Sequence, residues 1–209
     1  MIGFFEVTNI HYSNKIISAF EFAYDAHKGD YRKGTTIPYI VHPMDVASTL
    51  MKNHASEYVV IAGLLHDVVE DTKINLSEIE AKFGKEVATL VEGASEPEDL
   101  VNVDDKSENW LERKSHTIET IKNANREMKL LSCADKLANI RDIINDERQG
   151  ESVWSIFNAS KECVAWYYKS MVKTFASGDE NIIDMQAFNE FKKCVNEIFG
   201  DPNVIEECS

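Results

Sequence analysis

The sequence predicts an all-α fold, a single compact bundle of roughly eight to ten helices. Three observations carry this. Apolar residues recur at the three- and four-residue spacing of a helix in segment after segment. Alternating apolar and polar runs, the mark of a half-buried strand, are scarce. Gly (9) and Pro (4) are few in 209 residues, and no Gly/Ser-rich or Pro-rich tract marks a linker. With 44% hydrophobic residues the chain can bury one ordinary core, so residues 1–209 are expected to form one domain.

In chain order, "SNKIISAFEFAYDAHKG" places Ile16, Ile17, Phe20, Ala23 and Tyr24 at helical spacing and stops at Gly29. "DYRKGTTIPYIV" is a loop, broken by Gly34 and Pro38. His42 precedes Pro43, which suits the first position of a helix through "MDVASTLMKN". "SEYVVIAGLLHDVVE" is a helix apolar on most sides, as expected of a central element. "NLSEIEAKFG" starts with Asn75 and Glu78 in capping-box order and stops at Gly84. "KEVATLVEGAS" is another short helix, and the acidic "EPEDLVNVDDKSEN" is a loop. "WLERKSHTIETIKNA" and "REMKLLSCADKLANIRDII" are two further helices. "SVWSIFNASKECVAWYYKSMVKTFASG" reads as one long helix, and "DENIIDMQAFNEFKKCVNEIFG" closes a C-terminal packing region of about 151–199.

A formal charge of −14 argues against nucleic acid as a partner, which needs a basic face. An anionic small molecule remains open to such a chain only where local cations outweigh the global field. No apolar run of about 18 residues predicts a membrane span. The N-terminus lacks a basic segment followed by a sufficient apolar stretch, so no signal peptide is expected. Cys133, Cys163, Cys194 and Cys208 match neither a zinc signature nor the disulfide framework of a small secreted domain, and a reducing cytoplasm is expected.

The chemistry concentrates in "AGLLHDVVEDT", residues 62–72. Residues four apart share a helix face, so His66 stacks with Glu70 and Asp67 with Asp71. A bare His-Asp pair is commonly just the polar end of an amphipathic helix. Here the four ionisable groups sit on an apolar helix, where burying uncompensated charge costs several kcal/mol per group. A bound cation compensates most economically. His42 stands upstream at a helix start, and Asp135 interrupts an apolar face downstream, where a lone interior Asp needs a partner. Mixed imidazole and carboxylate ligation suits Mn²⁺, Fe²⁺ or Zn²⁺.

The order His…His-Asp…Asp resembles the HD phosphohydrolase superfamily, an all-helical family that holds a divalent metal through those four residues. The resemblance assigns His42, His66, Asp67 and Asp135 as ligands. It narrows further. "YRKGTTIPYIVHP", "AGLLHDVVEDT", "FGKEVATLVEGAS" and "CADKLANIRDI" resemble, in order over about residues 20–145, segments of the RelA/SpoT-type hydrolase domains. "WLERK" is nearer to the small stand-alone alarmone hydrolases.

That resemblance implies removal of the 3′-pyrophosphate of (p)ppGpp with one Mn²⁺ per chain. It implies that Glu70 and Asp71 serve the attacking water and the leaving-group proton. Arg32 and Lys33 would meet phosphate, and Asn139 the nucleoside. Arg141 would accompany Asn139 or instead pair with a nearby acid. Arg113 and Lys114 are further phosphate candidates. One of Trp154, Trp166, Tyr167 and Tyr168 could stack on a base. His11, His27, His54 and His116 are expected to be ordinary surface or packing residues, and Cys133 a core residue. Ala138 and the loop "RKGTTIP" depart from the commonest family forms near the nucleoside end. Two other readings stay open: an HD phosphohydrolase acting on another nucleotide (an adenosine alarmone, a dinucleotide phosphate or a nucleoside monophosphate), and a non-catalytic helical module with a structural metal. Oligomeric state is not legible.

Overall fold

The computed structural model describes residues 10–96, 109–150, 153–206 and 208, so the expected loop at 96–109 lies almost wholly outside the described residues. Within them the chain is all-α and compact, with no strand beyond an isolated Tyr31–Pro38 bridge. The helices are α1 (Lys15–Ala26), α2 (Val41–Lys52), α3 (Glu57–Leu65), α4 (Val68–Asp71), α5 (Leu76–Phe83) and α6 (Lys85–Ala94). Then come α7 (Trp110–Lys122), α8 (Arg126–Arg148), a 3-10 turn (Val153–Ile156), α9 (Lys161–Phe175) and α10 (Gln186–Phe199).

Helix α3 is the hub. Every residue from Val59 to Leu65 is buried, because α1, α2, α6 and α8 surround it. Each of its large aliphatic side chains contributes roughly 1.5–3 kcal/mol by leaving water. Gly63 lets α2 come close: a Cβ there would lie 2.4 Å from Leu50 and 3.2 Å from Val46. Helix α8 is the second axis and packs against α2, α3, α6 and α10. Asn125 caps it by accepting from the Met128 N–H, and its inner face is buried from Met128 to Ile144. The capping box of α5 forms between Asn75 and Glu78, and Gly84 ends that helix at φ 99°.

Several boundaries differ from expectation, each for a local reason. The helix expected through residues 56–70 breaks at His66-Asp67 and resumes as α4. There the His66 ring Nδ1 bonds the Gly63 carbonyl at 2.9 Å, a side-chain bond that competes with the helical ladder. Helix α2 starts at Val41, which puts Pro43 at its third position; a proline anywhere in the first turn sacrifices no intrahelical bond. The long helix expected after residue 151 is split, because Ser160 caps a new start by accepting from the Cys163 N–H. On α1 the buried stripe is Ala19 and Ala23, while Ile17 and Tyr24 are exposed.

The cysteine expectation is corrected. Cys163, at the start of α9, is joined to Cys208 (S–S 1.94 Å, Cα–Cα 4.5 Å), and the Lys169 Nζ donates to the Val204 carbonyl beside it at 2.8 Å. Spacing alone could not show this, because the two cysteines are 45 residues apart and meet only when the tail folds back. Disulfides are rare in a reducing cytoplasm, so cysteine usage no longer argues for that compartment. Cys133 is buried, as expected of a core residue. Cys208→Ser is expected to lower stability by about 2–4 kcal/mol. Urea denaturation without reductant checks this, and equal midpoints for variant and wild type would remove the cross-link from the account.

Candidate active site

Three parts of the fold deliver the four expected metal ligands to one point. His42 comes from the first turn of α2, His66 and Asp67 from the break after α3, and Asp135 from the middle of α8. His42 Nε2 lies 3.2 Å from His66 Nε2, 3.5 Å from Asp67 Oδ2 and 3.2 Å from Asp135 Oδ1. His66 Nε2 lies 3.1 Å from Asp67 Oδ2 and 3.8 Å from Asp135 Oδ1. Both histidines are buried, and among the described residues His42, His66 and Asp67 offer ligand atoms that all lie within 4.8 Å of one another.

These donors fit a divalent cation. Bonds of about 2.1 Å put neighbouring ligand atoms about 3 Å apart, near the spacing found. With the His66 Nδ1–H directed at the Gly63 carbonyl, Nε2 keeps its lone pair, which is the tautomer a metal needs. The local field also seeks positive charge. Burial pushes the His66 imidazole down, yet Asp67 and Asp135 raise its pKa to about 9. Burial resists charge on Asp135 too, and Lys136 with the two histidines still holds it well below the usual carboxylate range.

Around this point the carboxylates are held from outside. The Tyr39 hydroxyl lies 2.7 Å from Asp67 Oδ2 and 2.9 Å from Asp71 Oδ2, linking a candidate ligand to a candidate catalytic acid. The Tyr39 ring stacks on His27, with centroids 4.5 Å apart. His27 is buried, and burial keeps it below the ordinary histidine range, so it backs Tyr39 as a neutral ring. The packing role expected of His27 thus falls directly behind the site. Asn139 Nδ2 donates to Asp135 Oδ1 at 2.7 Å, and Lys136 Nζ to Asp135 Oδ2 at 2.5 Å. Glu70 faces another way, where the Glu96 N–H donates to it at 3.3 Å. Although Glu70 is at an exposed rim, desolvation pushes its pKa up, helped by Glu96 and Asp67.

Beside the cluster opens a cleft of about 420 Å³ with five cations in its wall, Arg32, Lys33, Arg113, Lys114 and Lys136, against two carboxylates, Asp142 and Asp146. Here local charge outweighs the acidic whole, as an anionic ligand requires. The loop carrying Arg32 is closed by the Arg32 N–H to the Ile37 carbonyl and the Tyr39 N–H to the Asp30 carbonyl, both 2.9 Å. This turns Arg32 inward, where its Nη2 donates to Asn139 (2.7 Å) and Asp142 (2.8 Å). Lys33 donates to Asn158 at 3.3 Å. Arg113 and Lys114 both bind Glu96, at 2.5 and 2.7 Å. Burial opposes charge on Glu96, and that pair nevertheless holds its pKa at about 2. Tyr167, Tyr168 and Trp110 line the same cleft, and the buried Tyr167 hydroxyl has no hydrogen-bond partner among the described residues.

Arg141 is not at this cleft. It binds Glu190 at 2.6 Å and Thr49 at 3.3 Å, tying α8 to α10 and α2. Two residues beyond Asn139 on a helix is the opposite face, so the two cannot share a ligand. Trp154 packs on Phe157 and Phe199 instead of reaching the cleft wall. A larger hollow of about 760 Å³ lies beyond Glu70, between α5, α6 and α7; Glu70, Glu92 and Glu96 line it with Lys73, which suits an anion poorly. Tyr39 and Lys136 were not singled out from the sequence. Both sit inside the motifs, three residues before His42 and one after Asp135.

The chain belongs to the HD-domain family, whose model matches residues 19–162. Membership implies a divalent metal, and the cluster of His42, His66 and Asp67 is where one fits. Within the family, the chain is 39% identical over 134 residues to the mouse guanosine-3′,5′-bis(diphosphate) 3′-pyrophosphohydrolase MESH1, spanning 62% of this chain and 69% of that protein. A probable guanosine-3′,5′-bis(diphosphate) 3′-pyrophosphohydrolase from Synechocystis is 51% identical over 80 residues, which cover 38% of this chain and only 10% of that much longer protein. The solved structure of a metazoan SpoT ortholog that hydrolyses ppGpp superposes with a TM-score of 0.70 at 25% identity, covering 90% of this chain and 98% of that one. Among the described residues no helix is long and apolar enough to cross a membrane.

Proposed function

We propose that this chain hydrolyses the 3′-pyrophosphate of (p)ppGpp to GDP or GTP and pyrophosphate, using one Mn²⁺ held by His42, His66, Asp67 and Asp135. The observation that carries this is adjacency: a two-histidine, two-carboxylate cluster opens through Tyr39, Asn139 and Lys136 onto a cleft walled by five cations and the aromatic rings of Trp110, Tyr167 and Tyr168. The relatives' named activity fits that chemistry.

In the reaction, water adds to the phosphorus on the 3′-oxygen, the bond to that oxygen breaks, and the oxygen takes a proton. A divalent cation at the cluster supplies Lewis acidity toward a phosphate oxygen and lowers the pKa of water. Asp71, joined to Asp67 through the Tyr39 hydroxyl, accepts the water proton and returns one to the leaving oxygen, and Glu70 joins it once its side chain turns from the Glu96 N–H toward the cluster. Arg32 and Lys33 hold phosphate, Arg32 with the two-pronged geometry a guanidinium offers. Asn139, between Asp135 and Arg32, orients both and meets the nucleoside. Tyr168 or Tyr167, both in the cleft wall, offers a ring to the base.

In this reading residues 1–209 act as one catalytic domain with a nucleotide as partner, and neither nucleic acid nor a membrane is needed. A nucleotide substrate points to the cytoplasm, a closed Cys163–Cys208 bond to an oxidising compartment. Thiol titration of protein isolated without reductant separates them. The test of the activity is product analysis after incubation with ppGpp and Mn²⁺. Pyrophosphate and GDP are expected in equal amounts. Orthophosphate, or cleavage only of an adenosine alarmone or nucleoside monophosphate in a parallel panel, would overturn it.

A further inference from the structure

Five cations line the cleft, and each is bonded to a polar partner of the protein itself. Arg32 rests on Asn139 and Asp142, Lys33 on Asn158, Arg113 and Lys114 on Glu96. Lys136 differs in kind. Its ammonium sits 2.5 Å from Asp135 Oδ2, the second oxygen of the same carboxylate whose Oδ1 faces His42 and His66. Among these five, Lys136 is thus bonded to a candidate metal ligand while also lining the space a substrate would fill.

Two assignments compete for such a residue. It could orient Asp135, or it could bind phosphate next to the metal. Asp135 already has a separate anchor, because Asn139 Nδ2 donates to Oδ1 at 2.7 Å and is itself held by Arg32. Orientation of the carboxylate therefore does not rest on Lys136. An ammonium has three donors, and the Asp135 bond uses one. A cation several ångströms from a metal also repels it, so placing one there solely to build a metal site works against that site. Next to a metal-held phosphate the same charge is favourable, since the phosphate brings the negative charge that both cations share.

We propose that Lys136 is a phosphate-binding residue of the reaction, contacting the pyrophosphate group at the side of the metal while Asn139 keeps Asp135 in place. The inference rests on the pyrophosphohydrolase reading, and the wild-type control tests that reading separately: no pyrophosphate release by wild type sinks the reading, whatever Lys136 does. The variants are Lys136→Met, which keeps the stem and removes the charge, and Lys136→Arg, which restores a phosphate-binding cation. Lys136→Gln serves if the methionine variant does not fold.

Three experiments are run on each: Mn²⁺ affinity by electron paramagnetic resonance with the metal alone, pyrophosphate affinity by calorimetry with pyrophosphate alone, and steady-state kinetics with ppGpp for kcat and KM. For Lys136→Met, Mn²⁺ affinity is expected to stay within about threefold of wild type or to tighten, as loss of a nearby cation dictates. Pyrophosphate affinity falls at least about tenfold and kcat/KM about 30-fold or more, the loss of one charge-assisted bond to phosphate. Lys136→Arg recovers most of both. Mn²⁺ affinity falling more than about tenfold with pyrophosphate affinity unchanged would make Lys136 a holder of Asp135 and overturn the proposal. Unchanged kcat/KM in Lys136→Met overturns it equally.

Discussion

Asp67→Asn is expected to reduce kcat on the order of 10³-fold or more, since a catalytic cation supplies several kcal/mol and each 1.4 kcal/mol is a factor of ten. The substitution keeps shape and keeps an oxygen for the Tyr39 hydroxyl, so packing at the break after α3 survives. What it removes is one of the two charges facing the His42 and His66 nitrogens. Metal affinity therefore falls with activity, and Mn²⁺ titration should show both losses in the same variant while circular dichroism stays unchanged. Chelation of the wild type should give the same inactive state, reversible by adding Mn²⁺. Activity within about tenfold of wild type at saturating Mn²⁺ would remove Asp67 from the ligand set. Arg141→Ala is the contrasting control, because Arg141 lies on the far face of α8 against Glu190 and touches no part of the cluster.

Why the ligands were legible and their supports were not follows from range. The ligands are polar residues in apolar helices, and the price of burying them shows in the sequence itself: Asp135 stands among Leu131, Ala134, Leu137 and Ala138, all buried. The helix periods are local for the same reason, and so is the Asn75–Glu78 capping box. Tyr39 is different. A tyrosine three residues before His42 looks like any loop aromatic until the chain closes at Asp30–Tyr39 and sets its hydroxyl between Asp67 and Asp71. Lys136 looks like a solvated lysine until α8 packs and aims it at Asp135. Arg141 misled for the converse reason: adjacency to Asn139 in a motif is not adjacency on a helix. The break at His66-Asp67 was hidden because apolar periodicity runs through it, and only the ring bond to Gly63 marks it. The Cys163–Cys208 bond depends on a tail returning across 45 residues, which no local pattern encodes.

The two acids after the break should separate by partner. Glu70→Gln and Asp71→Asn are each expected to lower kcat by about 10²–10⁴-fold with KM little changed, the range for loss of a proton-transferring group. Glu70 is suited to accept a proton because desolvation, then Glu96 and Asp67, raise its pKa above the ordinary carboxylate value. Asp71 is suited to pass one because it shares the Tyr39 hydroxyl with Asp67. Tyrosine has one proton for those two carboxylate oxygens, so Asp67 and Asp71 cannot both receive a full hydrogen bond from it. Tyr39→Phe should then cost about 10–100-fold, as loss of a group orienting a ligand and a catalytic acid does. The decisive measurement is the cycle. If Tyr39 acts through Asp71, Tyr39→Phe in the Asp71→Asn background loses clearly less than it does in wild type, whereas in the Glu70→Gln background it loses its full factor. Additive losses in both backgrounds would cut the link through the hydroxyl, leaving Tyr39 as packing for His27 and Asp71 to act without it.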